Sequence, residues 1–145
     1  MDDLLSEFLT ETSESLGTLD VELVKLEQNP NDPDILSNIF RLVHTIKGTC
    51  GFLGLPRLET LAHAGENVLG KFRDGELEVA PSSVTLILEA LDRIKEILSH
   101  LEETETEPEG DDKDLIARLN AVAKGYIDPA QAEVEGQAVA GGPAE

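Results

Sequence analysis

The stretch Leu5-Ser6-Glu7-Phe8-Leu9-Thr10-Glu11-Thr12-Ser13-Glu14-Ser15-Leu16-Gly17-Thr18-Leu19-Asp20-Val21-Glu22-Leu23-Val24-Lys25-Leu26 decides the fold. Positions 5, 9, 12, 16, 19, 23 and 26 follow one another at steps of four and three, and all but Thr12 are leucine. That spacing lines one face of one long helix, and Asn29-Pro30 stops it. Asp32-Pro33 then supplies an N-cap and a first-turn proline for a second helix, whose stripe is Leu36, Ile39, Val43, Ile46, Cys50 and Leu53. Pro56 opens a third, with Leu58, Leu61, Gly65, Val68 and Phe72, ending near Asp74-Gly75. Pro81-Ser82-Ser83 opens a fourth, with Val84, Ile87, Leu91, Ile94, Leu98 and Leu101. No stretch sustains an alternation of period two. The chain reads as all-α: an antiparallel up-down four-helix bundle over about residues 4–101, with short connections.

An acidic run with Pro108 and Gly110 follows and reads as a solvated linker over residues 102–111. A fifth, shorter helix over about 112–124 carries Leu115, Ile116, Leu119 and Val122 on one face. Four apolar side chains form no core alone, so it either docks on the bundle or is marginal. Residues 1–125 thus read as one domain. From Tyr126 onward the Ala, Gly, Glu and Gln-rich sequence reads as a flexible tail, and the expectation is a fragment of something longer.

Composition removes several classes. The 145 residues hold 11 Lys and Arg against 30 Asp and Glu, a formal net charge of −19, the wrong sign for nucleic-acid binding. One Cys excludes an intramolecular disulfide framework and fits a reducing compartment. The acidic start Met1-Asp2-Asp3 is unlike a signal peptide, and no apolar run reaches membrane-spanning length. A cytoplasmic, monomeric domain without membrane insertion is expected.

The run His44-Thr45-Ile46-Lys47-Gly48-Thr49-Cys50-Gly51 breaks plain bundle design. Gly48 and Gly51 lie within a helix whose stripe continues past them, at about 1 kcal/mol each relative to Ala. At 100° per residue His44 lies about 135° from the centre of the apolar stripe, so it faces solvent. Gly48 and Gly51 lie within about 40° of it on the same wheel, which leaves bare backbone on its C-terminal side. Lys47 sits at i+3, between His44 and the core. An imidazole carrying a phosphoryl group wants these things: neutral imidazole is a nucleophile near pH 7, an ammonium offsets the added charge, and clearance admits two bulky partners in turn. If the second and third helices are antiparallel neighbours, Glu66 can accept a hydrogen bond from His44 and leave the outer nitrogen free to attack. His63, three residues before Glu66, lies on the same face. His100, near the end of the fourth helix, reads as structural, and Cys50 as a small core hydrophobe.

His44-Thr-Ile-Lys47-Gly48 with Gly51 and Gly54, then His63-Ala-Gly-Glu66-Asn67, resembles the histidine phosphotransfer (HPt) family, most closely the N-terminal phosphotransfer domains of CheA-type chemotaxis histidine kinases. Phe8-Leu9-Thr10-Glu11-Thr12, Leu26-Glu27 and Phe72-Arg73-Asp74-Gly75-Glu76-Leu77 extend the likeness over about residues 4–101. It implies that His44 is phosphorylated, that Lys47, His63 and Glu66 form a supporting network, and that Gly48 is the small residue beside the phosphohistidine. It also implies two partners, the ATP-binding domain of the kinase and the receiver domains of response regulators. The chain itself would hold no cofactor and no metal, because ATP and Mg belong to the separate kinase domain; no phosphate-binding loop is present to make it a kinase alone. The rival readings are a freestanding relay protein between two receiver domains, a metal site on His44, His63 and Glu66, and a purely structural helical module.

Overall fold

The computed structural model describes residues 3–30 and 32–125. The chain from Tyr126 onward, read above as a tail, lies outside the described residues. Five helices follow in order: α1 (Asp3–Gln28), α2 (Pro33–Leu53), α3 (Pro56–Arg73), α4 (Pro81–Thr104) and α5 (Lys113–Ala123). α1 packs against α2 and α4, and α3 against α2 and α4, so the first four close a square around one core. Short connections make sequence neighbours antiparallel. Leu9, Leu16, Leu19, Leu23 and Leu26 of α1 are all buried, and Thr12, the polar member of that stripe, is buried with them. No described helix is long and apolar enough to cross a membrane.

The α2–α3 hairpin carries His44, Lys47 and Glu66, and local chemistry sets its ends. The Asp32 side chain accepts hydrogen bonds from the backbone N–H groups of Asp34 (2.9 Å) and Ile35 (3.4 Å), and Pro33 follows in the first turn. At the other end Gly54 adopts φ 72°, a left-handed cap that glycine takes without steric cost. The Leu55 N–H then returns to the Cys50 carbonyl at 2.9 Å, and Pro56 starts α3 at once. The reversal therefore takes two residues.

Residues 102–111 differ from the expected solvated linker. Glu102, Glu103 and Thr104 complete α4, so His100 lies one turn inside that helix rather than at its end. Beyond them the chain folds back over the start of α3. Leu55 offers that helix no capping side chain; Glu107 does so from across the fold, accepting from the N–H groups of Arg57 (3.1 Å) and Leu58 (2.8 Å). A carboxylate there also meets the positive end of the helix dipole. Arg57 grips the same segment, donating through Nε and Nη2 to both oxygens of Asp112 at 3.0 Å each. Its Nη1 reaches the Pro108 and Glu109 carbonyls at 3.3 Å each. Arg93 of α4 adds a 2.6 Å contact to Asp112. With both ends of Asp112 tied, α5 docks on α3 and α4 and buries Leu115, Leu119 and Val122.

Asp112 is a buried carboxylate held by two guanidiniums. Burial pushes its pKa up, but the hydrogen bonds from Arg57 and Arg93 outweigh that and hold it below the ordinary 3.8. A group depressed on folding contributes stability that is fully present above its unfolded pKa and lost as pH falls through the folded value. Asp112→Asn is expected to destabilise the domain by about 2–4 kcal/mol in urea unfolding. The gap between parent and variant should stay flat across neutral pH and narrow only below 3.8. A gap that narrows well above that pH contradicts the ion-pair account.

Candidate functional site

His44 and Lys47 come from α2 and Glu66 from α3, and the hairpin brings them together. His44 lies ten residues before Gly54 and Glu66 twelve after it, so in an antiparallel pair they stand at nearly the same height. The His44 side chain is 58% exposed and that of Glu66 only 8%. His44 Nδ1 hydrogen-bonds Glu66 Oε2, and Lys47 Nζ sits 2.9 Å from Glu66 Oε1. Each oxygen of one buried carboxylate is thus matched by one side chain of the neighbouring helix.

That pairing fixes a protonation pattern. Burial raises the Glu66 pKa, but the hydrogen bonds from Lys47 and His44, aided by their charge, outweigh it and hold the carboxyl below its ordinary 4.5. Glu66 is then ionised at neutral pH, and an ionised carboxylate only accepts. Nδ1 of His44 therefore carries a hydrogen, and in the neutral form of the ring the lone pair is then on Nε2. One turn further on, a Cβ added to Gly48 meets no described atom within 4 Å, so that side of α2 is open. The ammonium of Lys47, itself 26% exposed, stands beside the same imidazole.

Two sequence-based expectations change. Gly51 does not clear space around His44; a Cβ there would come within 2.8 Å of Glu59 Oε2, so the missing side chain accommodates α3. His63 is exposed and makes no hydrogen bond or ion pair to the His44–Glu66–Lys47 group. Cys50 is fully buried, and burial first, then the charges of Glu107 and Glu59, push its thiol up to about 12. It is closed to nucleophilic chemistry.

The sequence reading missed the other flank of the imidazole. Phe40, one turn before His44, stacks on it with ring centroids 5.9 Å apart and planes 11° from parallel. The Arg73 guanidinium from the end of α3 lies 4.0 Å from the Phe40 ring centroid, within cation–π range. The i, i+4 spacing of Phe40 and His44 was available as a signal, whereas the reach of Arg73 required the hairpin.

Chemically, the group presents a half-exposed imidazole, with a carboxylate behind it to stabilise positive charge on the ring and an ammonium on the same carboxylate to receive an anion. Among the described residues, no cluster of three or more His, Cys, Asp or Glu side chains is arranged to hold a metal ion, and Lys47 occupies the second oxygen of Glu66.

Comparison with known proteins agrees with this geometry. The sequence pattern of the family described as Hpt domain matches residues 3–104. The sensor histidine kinase CheAY of Helicobacter pylori is 36% identical over 138 residues, covering 90% of this chain and 17% of that protein. The chemotaxis protein CheA of Halobacterium salinarum is 35% identical over 123 residues, covering 84% of this chain and 18% of its own length. The chain thus spans less than a fifth of these curated relatives. Among solved structures, the phosphorylated P1 domain of CheA3 in complex with CheY6 from R. sphaeroides superimposes with a TM-score of 0.78 at 25% identity, over 86% of this chain and 98% of that one. The CheA phosphotransferase domain from Thermotoga maritima gives 0.67 at 31% identity, over 70% and 99%. A bundle of this order, an outward histidine backed by a buried glutamate, and a family match across all four bundle helices have one reading: the chain belongs to the Hpt family of histidine phosphotransfer domains.

Proposed function

We propose that His44 is the phosphoryl carrier of a chemotaxis-type two-component kinase, taking phosphate from the kinase's ATP-binding domain and passing it to an aspartate of response-regulator receiver domains. The reading rests above all on the His44–Glu66 hydrogen bond, which turns Nε2 outward with its lone pair free. The relatives of CheA type, and the P1 domain solved with CheY6, support the choice of partners. A cytoplasmic setting follows from that assignment, as does the absence of a cofactor or metal in this domain; ATP and its Mg ion belong to the kinase domain.

The residues divide the work by position. In the first transfer the Nε2 lone pair of His44 forms a bond to the γ-phosphorus as the bond to the leaving ADP oxygen breaks. Positive charge grows on the imidazole, and Glu66, already ionised and already bonded to Nδ1–H, stabilises it without reorganising. Lys47 stands where it offsets the negative charge of the phosphoryl oxygens. In the second transfer an aspartate oxygen attacks phosphorus, the N–P bond breaks, and its electron pair returns to Nε2. Both partners must reach the same nitrogen in line, and Gly48 leaves that approach open. A helical side chain leans toward the N-terminus over the preceding turn, so a larger residue at 48 would overhang His44.

Three outcomes are expected. With labelled ATP and a competent kinase domain, the parent chain takes an acid-labile, alkali-stable label and His44→Gln takes none; equal labelling of the two ends the proposal. Glu66→Gln should be labelled at least about tenfold more slowly, through loss of the charge behind the ring. Gly48→Leu should gain up to about 1 kcal/mol in unfolding free energy, since helix propensity improves and no contact is crowded. It should nevertheless slow transfer from the kinase domain, while chemical labelling by the small donor phosphoramidate is spared. Parental transfer in Gly48→Leu removes clearance as the reason for the glycine.

A further inference from the structure

The bond to Glu66 settles which nitrogen of His44 is free but not where its lone pair points. The terminal side-chain torsion of histidine is broad, and a ring held at Nδ1 alone can still swing about that hydrogen bond. The lone pair lies in the ring plane, so the plane sets the direction from which phosphorus must arrive. An in-line reaction is sensitive to such misalignment. A second contact, on the ring face, is needed to fix it.

Phe40 supplies that face. Its ring lies 11° from parallel with the His44 ring at 5.9 Å between centroids, within the range of offset stacking. Phe40 is itself held from α3. Arg73 lies over its ring at 4.0 Å, and Gly70 stands at its edge, where an added Cβ would come within 3.3 Å of Cε1. Gly70 thus lets the ring in, and Arg73 covers it. The stack itself lies within α2, but Arg73 and Gly70 of α3 meet Phe40 across the same seam as Glu66, so the imidazole is tied to α3 directly through Glu66 and indirectly through Phe40. We propose that Phe40 is a positioning residue for His44, fixing the plane of the imidazole, with its own ring set by Arg73 and by the bare backbone of Gly70. This rests on His44 being the phosphoryl carrier, and it adds the group that aims it.

The test uses a donor with a fixed approach and one without. Phosphoryl transfer from the kinase domain arrives from one direction, whereas phosphoramidate diffuses to Nε2 from any. For Phe40→Leu the expected result is a fall of about tenfold in kcat for the kinase-domain reaction, with KM held and phosphoramidate labelling of His44 near parental. Phe40→Tyr, which keeps the ring, should restore kcat. Gly70→Ala, which pushes the ring by a few tenths of an ångström, should slow the kinase reaction in the same sense. Parental kcat in Phe40→Leu overturns the proposal, and so does an equal fall with both donors, which would mean the domain or the Glu66 bond had been lost. If Phe40→Leu fails to fold, Gly70→Ala and the surface change Arg73→Gln decide, and parental kcat in both overturns it. A parent chain that takes no label at His44 defeats the carrier reading itself, a result distinct from any difference among these variants.

Discussion

Glu66 carries a negative charge into the seam between two helices, and that charge cannot sit there alone. Leaving a carboxylate buried and unpaired costs several kcal/mol, so α2 must bring donors to meet it. His44 and Lys47 do so from adjacent turns, and matching both oxygens at once permits only one register of α2 against α3. The pairing that orients the reactive imidazole is therefore also a constraint on how the two helices align. Function and fold share these contacts, and the hydrogen bonds from Lys47 and His44 hold the Glu66 carboxyl ionised against its burial.

α3 organises the rest of the domain around that seam. It touches α2, α4 and α5, and its buried polar contacts fall at two places. The first is Glu66, facing α2. The second is its N-terminus, where Glu107 caps the free N–H groups and Arg57 clasps Asp112. The clasp lies more than two turns from Glu66 along the helix, so it supports the site by fixing α3 as a rigid body rather than by touching it. The left-handed cap at Gly54 and the proline at 56 complete the restraint by removing slack from the hairpin. α5, too small to stand alone, is held by the polar clasp at one end and by Leu115, Leu119 and Val122 along its face.

The parts of this arrangement that obey a period were legible in the sequence. The leucine stripe of α1, the Asp32-Pro33 start of α2 and the outward position of His44 are helical arithmetic, and the near-equal distances of His44 and Glu66 from the turn placed them opposite each other. The parts that escaped are contacts between charged residues far apart in the chain. Glu107 and Asp112 sit in an acidic run whose composition is that of a solvated linker; only the fold shows that Arg57, about fifty residues earlier, draws them in. Gly51 looked like Gly48 on the helical wheel because the wheel knows nothing of Glu59 on the next helix. His63 lies three residues before Glu66 but is exposed where Glu66 is buried, and it stands outside the bonded group.

The overall charge bears on how such a site can be used. At −19 the chain repels anions at long range, and ATP, phosphate and an aspartyl phosphate are all anions. Screening confines that repulsion to about 8 Å at physiological salt, so what counts at contact is the local balance. Around His44 that balance differs from the average, because each cation is matched by one carboxylate: Lys47 pairs with Glu66, and Arg73, which lies over the stacking partner, pairs with Asp74. A free anion diffusing toward the domain meets the acidic surface first, whereas a protein that docks brings its own compensating cations inside the screened region. An acidic surface around a locally balanced centre therefore favours docking of a cationic protein surface over the approach of a dissolved anion.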